Sequence, residues 1–249
     1  MNNEDRQECL SYQGLDMKPE ILKFETANGD TTAVVARPEI EAESAVILIH
    51  EWWGITDHVR EIAARYAKEG YLCVAPDLFR GQVAKDADAA SKLMHDLAIE
   101  DGMDTISSVI AELEHSFAVD QVAITGYCMG GTFALRAACE LDELAAAAAF
   151  YGDTPEEEDV LAKLTVPTLF IAGSRDKWIN PEKVAELKAA AQKHDLPLEV
   201  VSYDADHAFF NDTRPEVYDA KAAIDAWRRV LAHFGKYLTI AGSDDEDEA

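Results

Sequence analysis

The stretch Val122-Ala-Ile-Thr-Gly126-Tyr-Cys128-Met-Gly130-Gly131 admits few folds. Four β-prone residues feed a Gly-x-Cys-x-Gly turn, and Thr132-Phe-Ala-Leu-Arg-Ala-Ala then reads as helix. A strand–turn–helix of this kind lifts its central side chain clear of a sheet, as a nucleophile elbow does. The turn is strained, so the residues two positions either side must be small, and Gly126 and Gly130 meet that demand. Cys128 is therefore the candidate nucleophile, with a structural cysteine buried in a glycine turn as the alternative. Aligned N–H groups at the start of the following helix are expected to lower its thiol pKa below the free value of about 8.5.

Strand and helix signals alternate around this segment. Ile21 to Thr26 and Thr32 to Ala36 read as a hairpin turning at Asn28-Gly29. Ser44 to His50 is an unbroken apolar run of the kind buried on both faces of a parallel sheet, and it stops at Glu51-Trp52-Trp53-Gly54. A helix from Asp57 closes at Gly70, Tyr71 to Ala75 is the next strand, and a loop holding Arg80 leads into helical stretches reaching Phe117. Beyond the elbow, strands are expected at Leu144 to Tyr151, Val166 to Gly173 and Leu198 to Tyr203. Helices are expected from Pro181 to Lys193 and from Pro215 to Phe234, the latter burying Val217, Ile224, Leu231 and Phe234. The pattern predicts an α/β fold with a mostly parallel, doubly wound sheet flanked by helices. One domain over residues 1–240, followed by an acidic tail over 241–249, suits the length.

Charge narrows the partners. The chain carries 48 acidic against 22 basic residues, a net −26, so no basic stripe exists to neutralise phosphates and no nucleic-acid partner is expected. Acid spread along the whole chain fits a halophilic protein, whose surface repulsion molar salt would screen. No apolar run is long enough to span a bilayer, the start is acidic, and the four cysteines show no CxxC spacing. A cytoplasmic protein without membrane, metal or organic cofactor is expected, and the oligomeric state is left open.

Ligands of parallel sheets bind at the carboxyl ends of strands. That rule selects Glu51, Arg80, Cys128, Asp176 and His207 from a chain otherwise full of acids. A thiol nucleophile needs a base and a group to orient the base, and Cys128, Asp176 and His207 supply these types, each in a loop after its own strand. Asp153, Asp204 and Asp206 are less well placed to orient the base. The oxyanion donors expected by position are the backbone N–H groups of Met129 and Trp52.

The motifs His50-Glu-Trp-Trp-Gly54, Pro76-Asp-Leu-Phe79, Gly126-Tyr-Cys-Met-Gly-Gly131, Ser174-Arg-Asp176 and Asp206-His-Ala-Phe-Phe210 appear in the order found in the dienelactone hydrolase family, which the chain resembles from about residue 21 to 235. The resemblance implies an α/β-hydrolase fold and cleavage of a small-molecule ester or lactone through a Cys128 acyl-enzyme. It also implies that Glu51 contacts the resting thiol and helps generate the thiolate. Family members hold a substrate carboxylate with two arginines. Here Arg80 lies one residue nearer its motif than that pattern has it, and Asn211 occupies the second position, with Arg214 three residues beyond. Arg80, Arg214, Trp53 and Tyr127 are thus the candidate substrate contacts, packing being the alternative for Trp53. A broader esterase or thioesterase on the same triad is the nearest rival; a non-catalytic ligand-binding or redox-sensing domain built on an oxidisable Cys128 is the other.

Overall fold

A computed structural model of the chain describes residues 19–155 and 158–240. The N-terminal arm with Cys9 and the acidic tail 241–249 lie outside the described residues. Strands β1 (Glu20–Phe24) and β2 (Thr31–Ala36) form the expected hairpin. Its turn closes with the Gly29 N–H on the Thr26 carbonyl at 3.0 Å, and Gly29 takes a φ of 111° that favours glycine. Six further strands follow: β3 (Ser44–Ile49), β4 (Leu72–Pro76), β5 (Gln121–Tyr127), β6 (Leu144–Phe150), β7 (Thr168–Gly173) and β8 (Leu198–Tyr203). All eight join one sheet in the order β1-β2-β4-β3-β5-β6-β7-β8, with β2 antiparallel to its neighbours and β3 to β8 parallel.

The apolar runs are explained by burial on two faces. On β3, Ala45, Ile47 and Ile49 point into one core while Val46 and Leu48 point into the other. Helices α1 (Asp57–Lys68) and, last in the chain, α7 (Ala220–Phe234) cover one face. The other is covered by α2 (Ala87–Asp96), α3 (Ile99–Ser116), α4 (Met129–Glu140), the short α5 (Glu158–Leu161) and α6 (Pro181–His194). The alanines of β6 suit a central strand on which helices pack closely. At its end Gly152 and Gly131 approach so tightly that a Cβ on Gly152 would lie 2.2 Å from the Gly131 carbonyl carbon.

The C-terminal helix corrects the sequence reading. It starts at Ala220, not Pro215, because the Asp219 carboxylate caps the N–H groups of Lys221 and Ala222 and residues 214–218 form turns. The buried face is Ala222, Ala223, Ala226, Trp227, Val230 and Phe234, whereas Val217, Ile224 and Leu231 are only half-buried. Small alanines bring this helix onto the sheet, and Trp227 reaches the Tyr66 ring at 4.5 Å between centroids.

Candidate active site

Cys128 sits where β5 gives way to α4, with φ 57° and ψ −119°, a conformation rarely adopted by a residue with a side chain. Its amide donates to the Phe150 carbonyl at 3.0 Å, which locks the elbow to the adjacent strand. The glycine demand is steric: a Cβ on Gly126 would lie 2.1 Å from the Gly130 carbonyl oxygen, and one on Gly130 would lie 2.2 Å from the Ile49 carbonyl oxygen. Close backbone contact therefore fixes the thiol above the carboxyl end of the sheet.

Asp176 follows β7 and His207 follows β8. The His207 Nδ1–H donates to Asp176 Oδ2 at 2.6 Å, leaving Nε2 as the acceptor nitrogen. Asp176 Oδ1 takes the backbone N–H groups of Trp178 at 2.8 Å and Ile179 at 3.0 Å. Burial opposes ionisation of Asp176, but the His207 contact and these two donors outweigh it and hold the carboxyl below its ordinary range. Asp204 and Asp206 pair with Arg175, and Asp153 pairs with Lys183 at 2.7 Å, so of the four candidate acids Asp176 is the one on the imidazole. His207 Nε2 is buried and accepts no hydrogen bond.

The thiol sulfur instead receives the backbone N–H groups of Met129 and Trp52, the two donors expected to form the oxyanion hole. The expected lowering of its pKa is not found. Burial, followed by the Glu51 carboxylate, pushes the Cys128 thiol up to about 12 against the pull of those two donors. At neutral pH the resting Cys128 sulfur is therefore protonated.

Glu51 is buried at the end of β3. His50 anchors the loop: its Nδ1–H donates to the Glu51 carbonyl at 2.7 Å and its Nε2 accepts the Leu78 N–H at 3.1 Å. Asn211 Nδ2 donates to Glu51 Oε2 at 2.6 Å. Burial raises the Glu51 pKa, partly opposed by the nearby His58, the Asn211 bond, His207 and Arg214. Asn211, noted in the sequence only as a missing arginine, is thus the direct partner of Glu51. In the sequence Tyr151 reads only as the end of a strand and not as a site residue. Its ring centroid lies 5.0 Å from that of His207, and burial together with Glu51 and Cys128 raises its hydroxyl pKa well above the ordinary value. It sits just past β6, where the strand-end rule applied to every strand would have found it.

Two candidate substrate contacts lie elsewhere. Arg80 donates to the Gly29 and Asp30 carbonyls and to Asn28 Oδ1, so the β1–β2 turn engages its guanidinium. Tyr127 is a core residue, its ring stacked on Phe150 at 4.4 Å and 4.9 Å from the Phe210 ring, so aromatic packing occupies it. Arg214 binds Glu216 at 2.9 Å. Trp53 is half-buried, its ring edge-on to Trp52 at 5.1 Å. Among the described residues one group, His58, Glu61 and Asp212, places imidazole and carboxylate atoms within 4.8 Å of one another, but His58 already pairs with Asp212 at 3.2 Å and the two acids are exposed.

A protein of Aquifex aeolicus provisionally named a carboxymethylenebutenolidase is 32% identical over 232 residues, covering 88% of this chain and 99% of its own. A crystal structure of a provisional dienelactone hydrolase from Klebsiella pneumoniae superposes with a TM-score of 0.81 at 28% identity, covering 88% of this chain and 99% of that one. An esterase of Pyrococcus furiosus shares the fold, with a TM-score of 0.70 at 18% identity over 94% of this chain and 96% of that one. No helix among the described residues is long and apolar enough to cross a membrane. The dienelactone hydrolase family model matches residues 31–238, a span that contains the elbow and both loops joined to it, and the chain is accordingly a hydrolase of the dienelactone hydrolase family with the α/β-hydrolase fold.

Proposed function

We propose that this hydrolase cleaves a carboxylic ester or lactone through a thioester formed on Cys128. The observation that carries the reading is that the Cys128 sulfur lies under two backbone N–H donors and within the fields of Glu51 and Asp176, the same Asp176 that holds the His207 imidazole at 2.6 Å. Entry of a substrate carbonyl displaces the sulfur from the Met129 and Trp52 donors, and the carbonyl oxygen takes them over. The thiol proton leaves toward Glu51 and ends on His207 Nε2, and the thiolate attacks the carbonyl carbon. The C–O bond breaks as the departing oxygen takes the proton from His207. A water then gives a proton to His207 and attacks the thioester, the C–S bond breaks, and the sulfur recovers its proton. Asp176 keeps the imidazole in the required tautomer throughout.

Intact-mass spectrometry during turnover of a neutral activated ester, beside cis-dienelactone, tests this reading. An acyl adduct on Cys128 that hydroxylamine removes is expected with the ester. Turnover without any adduct, even on rapid quenching, would replace the thioester with direct attack by water.

The acidic surface belongs to the same reading. A protein of net charge −26 that works in molar salt gains stability as the Debye length falls from about 10 Å at 0.1 M to about 3 Å at 1 M. The thermal midpoint is expected to climb as KCl is raised over that range; a flat midpoint would reject a halophilic protein. Three cysteines among the described residues are free thiols, Cys73, Cys128 and Cys139, which suits the reducing cytoplasm.

A further inference from the structure

Trp178 is unusual for its position. Its indole is 61% exposed, yet its backbone N–H is fixed to the carboxylate of Asp176 at 2.8 Å. The ring stands edge-on to His207 at 4.8 Å and 87°, and edge-on to Trp52 at 6.3 Å and 63°. Trp52 in turn supplies one of the N–H groups on the Cys128 sulfur. An apolar shelf therefore runs from the imidazole to the oxyanion donors, anchored at both ends to groups with chemical roles.

The departing oxygen of an ester must come within hydrogen-bond reach, roughly 3 Å, of His207 Nε2 to be protonated. A substituent on that oxygen then lies beside the rings packed on His207, of which Tyr151 is fully buried and Trp178 is the one open to solvent. Charge points the same way. Arg80 is engaged by the β1–β2 turn, Arg214 by Glu216, Arg175 by Asp204 and Asp206, and Lys183 by Asp153. None of these four cations is left to pair with a substrate carboxylate, and the net charge of −26 disfavours an anionic substrate.

We propose that Trp178 and Trp52 bind an uncharged aryl ring on the alcohol side of the substrate, so that the natural substrate is a neutral aryl or arylmethyl ester. This rests on the ester-hydrolase reading and specifies its substrate class. Edge and face contacts with one indole favour an aromatic over an alkyl group by about tenfold.

The test compares kcat/KM for benzyl acetate, butyl acetate and 4-carboxybenzyl acetate, which share a primary alkoxide leaving group. The wild type is expected to prefer benzyl over butyl by about tenfold, and to turn over the carboxylated ester more slowly, by a margin that narrows with salt. Trp178→Ala should bring the benzyl-to-butyl ratio close to one, and Trp178→Phe should retain most of it. A ratio unchanged in Trp178→Ala, or a preference for the carboxylated ester, would overturn the proposal. A parallel fall for both neutral esters would make Trp178 a prop for His207 and equally overturn it. Should the wild type hydrolyse none of the three, saturation-transfer NMR with benzyl acetate separates the two readings. Binding lost in Trp178→Ala keeps the shelf and removes the hydrolase reading, whereas no binding removes the shelf.

Discussion

Cys128→Ala is expected to lower kcat for a neutral activated ester by about 10⁴-fold or more, while leaving the fold intact. The size follows from the division of labour in a triad: without the nucleophile, only the oxyanion donors and binding remain, and the acyl-enzyme route is closed. The fold survives because alanine keeps the backbone of Cys128, whose φ of 57° costs about the same for any residue with a Cβ. Cys128→Gly sharpens the point. Glycine adopts that φ without strain, so this variant is expected to melt slightly higher than Cys128→Ala while remaining equally inactive. The measurement pairs steady-state turnover with thermal melts of the three proteins. Turnover preserved in Cys128→Ala would move the nucleophile elsewhere, whatever the melts show.

The elbow was legible in the sequence because its physics is local. Two glycines flanking a cysteine after a run of β-prone residues specify a tight strand-to-helix turn before any tertiary contact is known, and Gly126 and Gly130 lie against backbone atoms that leave no room for a methyl group. The strands were legible for a similar reason, since runs such as Ser44 to Ile49 have no face to show to water. The state of the thiol was not. A helix N-terminus is visible in sequence, but the burial of Cys128 and its nearness to Glu51 arise from segments more than 70 residues apart and together outweigh the local donors. Arg80 and Tyr127 were misplaced because a strand-end rule locates a residue to a loop and says nothing of which way its side chain turns. Asn211 looked like a loss when compared with the family pattern; only the fold shows it bonded to Glu51, 160 residues away. The last helix was drawn too long because Val217 continued a helical period that Asp219 in fact interrupts by capping.

Glu51→Gln is expected to make the resting thiol more reactive and the enzyme slower at once. Glu51 is the second cause, after burial, of the high Cys128 pKa, so replacing its charge with a neutral amide lets the thiolate form at lower pH. Alkylation of resting Cys128 by iodoacetamide should accelerate at fixed pH. Turnover should nevertheless fall by about 10²- to 10⁴-fold, the range lost when a general base is removed, because the amide cannot receive the thiol proton. Stability supplies an independent readout with a defined sign. Burial raises the Glu51 pKa above its unfolded value, so the folded protein binds the proton more tightly and loses stability as pH climbs from the ordinary carboxylate range through the raised value. Glutamine carries no such penalty and preserves an oxygen for the Asn211 amide. The variant is therefore expected to melt about 2–4 °C above the wild type at neutral pH, the shift that roughly 1 kcal/mol produces in a chain of this size. The gap should close in acid, where Glu51 is protonated in both states. A carboxylate serving only to hold the loop would leave kcat unchanged on this conservative replacement. A group that keeps the thiol quiet and then takes its proton instead requires faster alkylation, slower turnover and a pH-dependent gain in stability to occur together.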